Sequence, residues 1–196
     1  MAYTGVIIGL DLASATGVAE GCPGEIPKFD APRLRIKDDS HAESFGRALG
    51  YLAERIAAPR SIGNRIYGPG EAANEGMVRV AIEAPIKNPT TGNTNADAQL
   101  ITKGLWACCM GFAHRRGVMV RDVTVGQVRK AFIGSGREQG DAGKRMARQM
   151  CVGLGWNPPT LDCSDAGAVW WWACNQWNPA VTPRTEPFFS KVRWEA

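Results

Sequence analysis

Apolar positions along the chain follow two periods. Val6-Ile7-Ile8-Gly9-Leu10 is an unbroken apolar run rich in β-branched residues, which predicts a strand buried on both faces and ending at Asp11. Residues 12–19 read as a turn into a second strand, with Gly17 easing the bend. Arg33-Leu34-Arg35-Ile36 alternates polar and apolar and predicts a half-exposed third strand. The period then changes. Phe45, Leu49, Leu52 and Ile56 recur at helical intervals behind the capping-box spacing of Ser40 and Glu43, and Pro59 lies just past the end. Residues 59–77, with their glycines and prolines, predict a surface loop.

Val78-Arg79-Val80-Ala81-Ile82 restores the buried-strand pattern and ends at Glu83. A second Gly/Pro/Asn/Thr-rich loop, Pro85 to Thr94, leads into a helix over 95–115 with Ile101, Leu105, Cys108 or Cys109, and Phe112 on one face. A fifth strand over 118–123, a short helix over 124–133 and a flexible basic loop over 134–140 follow. A helix over 141–154 stops at Gly155, and a last one over 160–177 stops at Asn178-Pro179. Trp170, Trp171 and Trp172 cannot all face one side of that helix, so one of them belongs at an edge, where it is a candidate dimer contact. This order predicts an α/β fold with a mixed five-stranded sheet flanked by helices, a three-stranded antiparallel meander plus parallel strands. The expected organisation is a single domain over 1–196, with its core at about 5–177 and a C-terminal tail over 178–196.

Composition excludes several classes. At 44% hydrophobic and 21% charged residues, the chain is not a disordered one. No stretch approaches the ~20 apolar residues that span a bilayer, so no membrane partner is expected. Residues 1–5 carry no basic segment, so a secretory signal is not expected. Cys22, Cys108, Cys109, Cys151, Cys163 and Cys174 include no C-x-x-C pair, which favours reduced thiols in a cytoplasmic protein. Neither His41 nor His114 has a partner at metal-ligand spacing. The net charge of +4 is modest but unevenly spread. From Arg115 to Arg148 nine basic residues (Arg115, Arg116, Arg121, Arg129, Lys130, Arg137, Lys144, Arg145, Arg148) stand against Asp122, Glu138 and Asp141. That surplus is greater than the whole chain's, and it predicts contacts to nucleic-acid phosphates. A phosphate-loop reading of 134–145 fails, because Glu138 stands where a glycine is needed and Arg145 where Ser or Thr is needed.

The acids suggest chemistry. Asp11 and Glu83 both end buried strands, where ligands of open α/β sheets gather. Asp162 and Asp165 lie three apart at the start of the last helix and share a face. If that helix crosses the sheet, four carboxylates converge and repel one another. Hard divalent cations relieve such repulsion, and oxygen-only donors suit Mg²⁺ or Mn²⁺ rather than zinc. Two such ions ~4 Å apart form a clamp for in-line displacement at phosphorus. Each acid also has an ordinary reading, as a turn former or as a favourable charge at a helix start. Their joint placement points to metal-dependent phosphodiester hydrolysis.

Ile8-Gly9-Leu10-Asp11, Ala81-Ile82-Glu83 and Asp162-Cys163-Ser164-Asp165-Ala166 resemble the acidic motifs of RuvC-like Holliday junction resolvases, a family of the RNase H-like (retroviral integrase-like) fold. Asn95-Ala96-Asp97-Ala98 and the stretch from Val128-Arg129-Lys130 to Gly134-Ser135-Gly136 resemble further family segments, so the likeness runs over about 5–176. The resemblance implies a dimeric endonuclease that resolves four-way DNA junctions by paired nicks. It implies two Mg²⁺ ions per site, replaceable by Mn²⁺, held by Asp11, Glu83, Asp162 and Asp165 as the catalytic acids. Lys144 falls in the helix where the family often carries a functional lysine. The DNA-contacting candidates are Arg129, Lys130, Arg137, Lys144, Arg145 and Arg148.

The chain departs from the family at the loop after Glu83, which is longer, and at Ile86, where some members carry an aromatic. That puts the mode of base unstacking in question, and the divergence suits a phage-type member. Two alternatives stay open: a nuclease of the same fold acting on flaps, other branched DNA or RNA–DNA hybrids; and a non-catalytic DNA-binding module, against which the full set of four acids argues. A third, an actin-like sugar kinase, fails on length. Gly9 to Gly17 also resembles the first phosphate motif of such kinases, but two such domains need more than 196 residues.

Overall fold

The structure, a computed structural model, describes residues 2–13, 15–86, 96–137 and 140–180. The elements in chain order are β1 (Val6–Asp11), β2 (Gly17–Gly21), β3 (Lys28–Asp30), α1 (His41–Ala57), β4 (Arg60–Ile62), β5 (Arg65–Tyr67) and α2 (Glu71–Asn74). They continue with β6 (Val78–Ala84), α3 (Ala96–Arg115), β7 (Met119–Thr124), α4 (Val125–Ile133), α5 (Gly140–Gly153) and α6 (Leu161–Trp177). Five strands form one mixed sheet in the order β3-β2-β1-β6-β7. β1 pairs antiparallel with β2, and β2 with β3, while β6 and β7 add in parallel on the other side of β1. This is the RNase H-like α/β topology expected from the motifs.

The two faces of the sheet follow from the two-residue period of the strands. Val6, Ile8 and Leu10 of β1 join Val78, Val80 and Ile82 of β6 in one core, closed by α1 and α3. Ile7, Ala19 and Ala81 face the other way, into a core built from α4, α5 and α6. Both faces of β1 are therefore buried, as its unbroken apolar run predicts. Trp170 and Trp171 are sealed in the second core against Phe132 and Trp156, and Trp170 Nε1 donates to Gly21 O at 3.1 Å. Trp172 is the half-buried member of the run and packs on the same core.

Capping explains where the helices start. Ser40 and Glu43 form the expected reciprocal box at α1, and Thr124 and Gln127 form a second one at α4. The Thr160 hydroxyl accepts the Cys163 N–H at the start of α6. Gly155, with φ of 78°, ends the turn after α5 as predicted. Along α3 the buried stripe is Ile101, Leu105, Cys109 and Ala113, which selects Cys109 over Cys108 and leaves Phe112 half-buried. All six cysteines are free thiols.

Two expectations are corrected. The third strand is Lys28–Asp30, not Arg33–Ile36. Only Leu34 of the alternating segment is buried, Ile36 stays half exposed, and Pro32 cannot donate to a ladder, so the chain leaves the sheet after Asp30. Residues 59–77 are not simply a loop. Arg60–Ile62 and Arg65–Tyr67 pair across a Gly63-Asn64 turn as a hairpin, and Arg65 pairs with Glu71 and Glu75 around α2. Most of the second Gly/Pro-rich loop, Asn95, Glu138 and the tail beyond 180 lie outside the described residues. Among the described residues no helix is long and apolar enough to cross a membrane.

Candidate active site

Two glycines let α6 lie directly on the sheet. A Cβ on Gly9 of β1 would stand 2.7 Å from Trp170 N, and one on Gly17 of β2 would collide with the Asp162 carbonyl. This close approach carries the first turn of α6, with Asp162 and Asp165, to the end of β1 where Asp11 sits. Glu83 lies one residue beyond the Leu10–Ile82 register pair, just as Asp11 does, so the two acids end adjacent parallel strands at the same level. The four predicted acids thus come from β1, β6 and α6 to one end of the sheet.

Asp11 and Asp165 are buried, at 7% and 5% exposure, and Glu83 and Asp162 are half-buried. Asp11, Glu83 and Asp165 line one open hollow of about 350 Å³, together with Thr102 of α3, Arg129 of α4 and Lys144 of α5. Lys144 Nζ donates to Asp162 Oδ1 at 2.5 Å and stands 3.6 Å from Asp165 Oδ2.

The acids raise one another. Burial, then the charges of Glu83 and Asp165, push the Asp11 carboxyl well above the usual carboxylate range, against Lys144. Burial and Asp165 push Glu83 up to about 7, against Arg129 and Lys144. Burial raises Asp165 as well, with Lys144 and Arg129 opposing. Burial alone would lower Lys144, but the hydrogen bond to Asp162 and the charges of Asp11 and Asp165 outweigh it and hold the ammonium protonated. One ammonium and one guanidinium therefore face four carboxyl groups.

This donor set, all oxygen and short of positive charge, fits a hard divalent cation. Among the described residues, no group of three or more His, Cys, Asp or Glu side chains stands ready to hold a metal ion. Asp162 and Asp165 are engaged by Lys144 instead.

The basic candidates separate. Arg129 is 6% exposed, packs its guanidinium against Gly143 of α5 and acts electrostatically on Glu83 and Asp165, so it belongs to the acid centre rather than to an outer track. Lys144 is inside the centre too. Lys130, Arg137 and Arg145 are exposed and Arg148 is half-buried. Arg115 ends α3 and Arg116 follows it in the turn, before β7 begins beside Arg79 and reaches Glu83 only at Val123. They lie at the far end of the sheet from the acids, so the run of basic residues in sequence is not one surface in space. Sequence reasoning missed Arg33 and Lys37, which line a second hollow beside Asp162. The signal was present, because the polar positions of the alternating 33–37 segment are all basic.

No family model and no curated protein matches the sequence. Among solved structures, that of Thermus thermophilus RuvC is similar at a TM-score of 0.58 and 18% identity, over 87% of this chain and 95% of that one. T. thermophilus RuvC in complex with Holliday junction substrate is similar at a TM-score of 0.59 and 15% identity, over 87% of this chain and 94% of that one. At such identities the likeness is one of fold.

Proposed function

We propose that this chain is a metal-dependent, structure-selective endodeoxyribonuclease that resolves four-way DNA junctions by paired nicks. The observation that carries this reading is that Asp11, Glu83 and Asp165 line one hollow with Arg129 and Lys144, and that Lys144 also holds Asp162 beside them. The assignment of these acids as catalytic groups and ligands of two Mg²⁺ or Mn²⁺ ions accounts for four carboxyl groups whose mutual repulsion Lys144 and Arg129 only partly offset. When bound, such ions activate a water and stabilise the leaving 3′ oxygen. The chain's own part is positional. Asp11 and Asp165 are held nearly dry by the close packing of α6 on β1, which strengthens every charge interaction in the centre. Lys144 orients the Asp162 and Asp165 carboxylates through its ammonium. Arg129 offsets the charge of Glu83 and Asp165 from the opposite wall. Exposed Lys130, Arg137 and Arg145, with Arg148, flank this centre as contacts to DNA phosphates. Paired nicks require two such centres, so the acting form is a homodimer.

The RuvC structure with a Holliday junction substrate supports the four-way junction over other branched DNA. The test is a cleavage panel of four-way junction, flap, Y-fork, duplex and RNA–DNA hybrid, each with Mg²⁺ and with Mn²⁺. Paired symmetric nicks confined to the four-way junction are expected. Cleavage only of flaps or hybrids would move the chain to another nuclease of this fold. Asp11→Asn is expected to abolish cleavage while junction binding persists, and full activity in that variant would remove the metal-site assignment.

A further inference from the structure

A second open hollow, of about 490 Å³, adjoins the acid centre on the β2–β3 side of the sheet. Its walls are Ala15 and Thr16 from the β1–β2 connection, Arg33 and Lys37 from the segment after β3, and Thr160 and Asp162 at the start of α6. The first hollow reaches the same connection from the other side, through Leu12 and Ala13. Asp162 stands between them, since it lines the second hollow and is tied by Lys144 to the acids of the first.

The basic segment is a fixed ledge. Leu34 is buried in the α1 core, its N–H bonds to Pro32 O at 3.1 Å, and its carbonyl accepts from Arg47 Nε at 3.3 Å. The Asp39 carboxylate accepts the Ile36 N–H at 2.6 Å and pairs with Arg47. Arg35 is held by Asp97 at 2.6 Å. Arg33 and Lys37, on either side of Arg35, are exposed and have no ion-pair partner among the described residues. Two unneutralised cations thus project from a rigid backbone into a hollow that opens onto the proposed catalytic acids.

We infer that this ledge is a second phosphate track: Arg33 and Lys37 hold the sugar-phosphate backbone of the DNA strand that crosses the acid centre, on the side away from α4 and α5. The inference rests on the nuclease reading and adds to it the path of the strand. A strand entering past Lys144 and Arg145 leaves over Thr16 and Asp162 and meets these cations next. They position the backbone and touch no reacting atom.

The experiment is binding of a four-way junction and of a single-stranded oligonucleotide in EDTA over a salt series, for wild type and for the Arg33→Ala/Lys37→Ala double variant. Each neutralised phosphate contributes about 0.9 to the logarithmic salt slope on duplex and about 0.7 on single strands. The double variant is expected to lose about 1.4–1.8 of that slope and about 25–60-fold in affinity at ~0.1 M salt. Both side chains are exposed, so the urea midpoint is expected to stay put, and Arg33→Gln/Lys37→Gln serves if the alanine pair does not fold. Arg115→Ala/Arg116→Ala, at the far end of the sheet, removes the same charge and is expected to leave the slope unchanged. A wild type that binds and cleaves, alongside a ledge variant with unchanged slope, would overturn the track and leave the nuclease reading standing. A wild type that neither binds nor cleaves any of these DNAs would overturn both.

Discussion

Glu83, Asp11 and Asp165 are easier to protonate in the folded chain than carboxyls in water, and this links the acid centre to pH. An unperturbed glutamate titrates at about 4.3, while Glu83 is pushed up to about 7 by burial and by Asp165. Below the ordinary value both folded and unfolded chains hold the proton. Between the two values only the folded chain does. The stability contributed by the protonated form is therefore complete at low pH and lost as pH rises through about 7. Asp11 and Asp165 are shifted in the same direction and add the same sign. Urea unfolding in EDTA is expected to find the wild type less stable at pH 8 than at pH 5.5, and Glu83→Gln is expected to flatten that difference by on the order of 1–3 kcal/mol. Adding Mg²⁺ is expected to recover more stability at pH 8 than at pH 5.5. An unchanged slope in Glu83→Gln would show that Glu83 does not share in the repulsion. The acids themselves were readable in the chain, because a carboxylate after an apolar run or on one face of a helix start is a local pattern. Lys144 as their shared partner was not, since it comes from a different helix, and only packing aims an ammonium at Asp162.

At the scale of elements, α6 on β1 and β2 decides whether the acids meet. Its approach depends on Gly9 and Gly17 having no side chain. Gly17→Ala is expected to cost about 1–3 kcal/mol by urea denaturation, as an overpacked core does, and to reduce cleavage, because the Asp162 carbonyl has to move. Gly46, exposed within α1 with open space where a Cβ would stand, is the control. There alanine is expected to raise stability by about 0.5–1 kcal/mol through helix propensity alone. Equal losses at the two positions would mean that the close approach carries no special weight. The elements also show where local pattern runs out. A capping box and an apolar stripe located α1, and unbroken apolar runs located β1 and β6 and their ends, since each pattern is satisfied within a few residues. The alternation at 33–36 was real but insufficient, because a strand needs a ladder partner, and β2 is already paired with Lys28–Asp30. The Gly63-Asn64 hairpin was overlooked because its strands are three residues each.

For the whole molecule, charge is divided between two ends. The acids, Arg129 and Lys144 occupy one end of the sheet and Arg115 and Arg116 the other. Junction binding is expected to weaken steeply with salt through counterion release, and a flat response would remove the phosphate-contact reading. Light scattering is expected to report a dimer, as paired nicks require; a strict monomer that still nicks in pairs would contradict it. The chain by itself determined the periods of its strands and helices, the two-faced burial of β1 and the four acids at element ends, because burial pattern and capping act between near neighbours. Only the tertiary structure decided that Lys144 bridges Asp162 and Asp165, that Arg129 turns inward, and that Arg33 and Lys37 flank the centre while Arg115 and Arg116 do not. Those relations join residues far apart in the chain, and they exist only once two glycines have let α6 settle against the sheet.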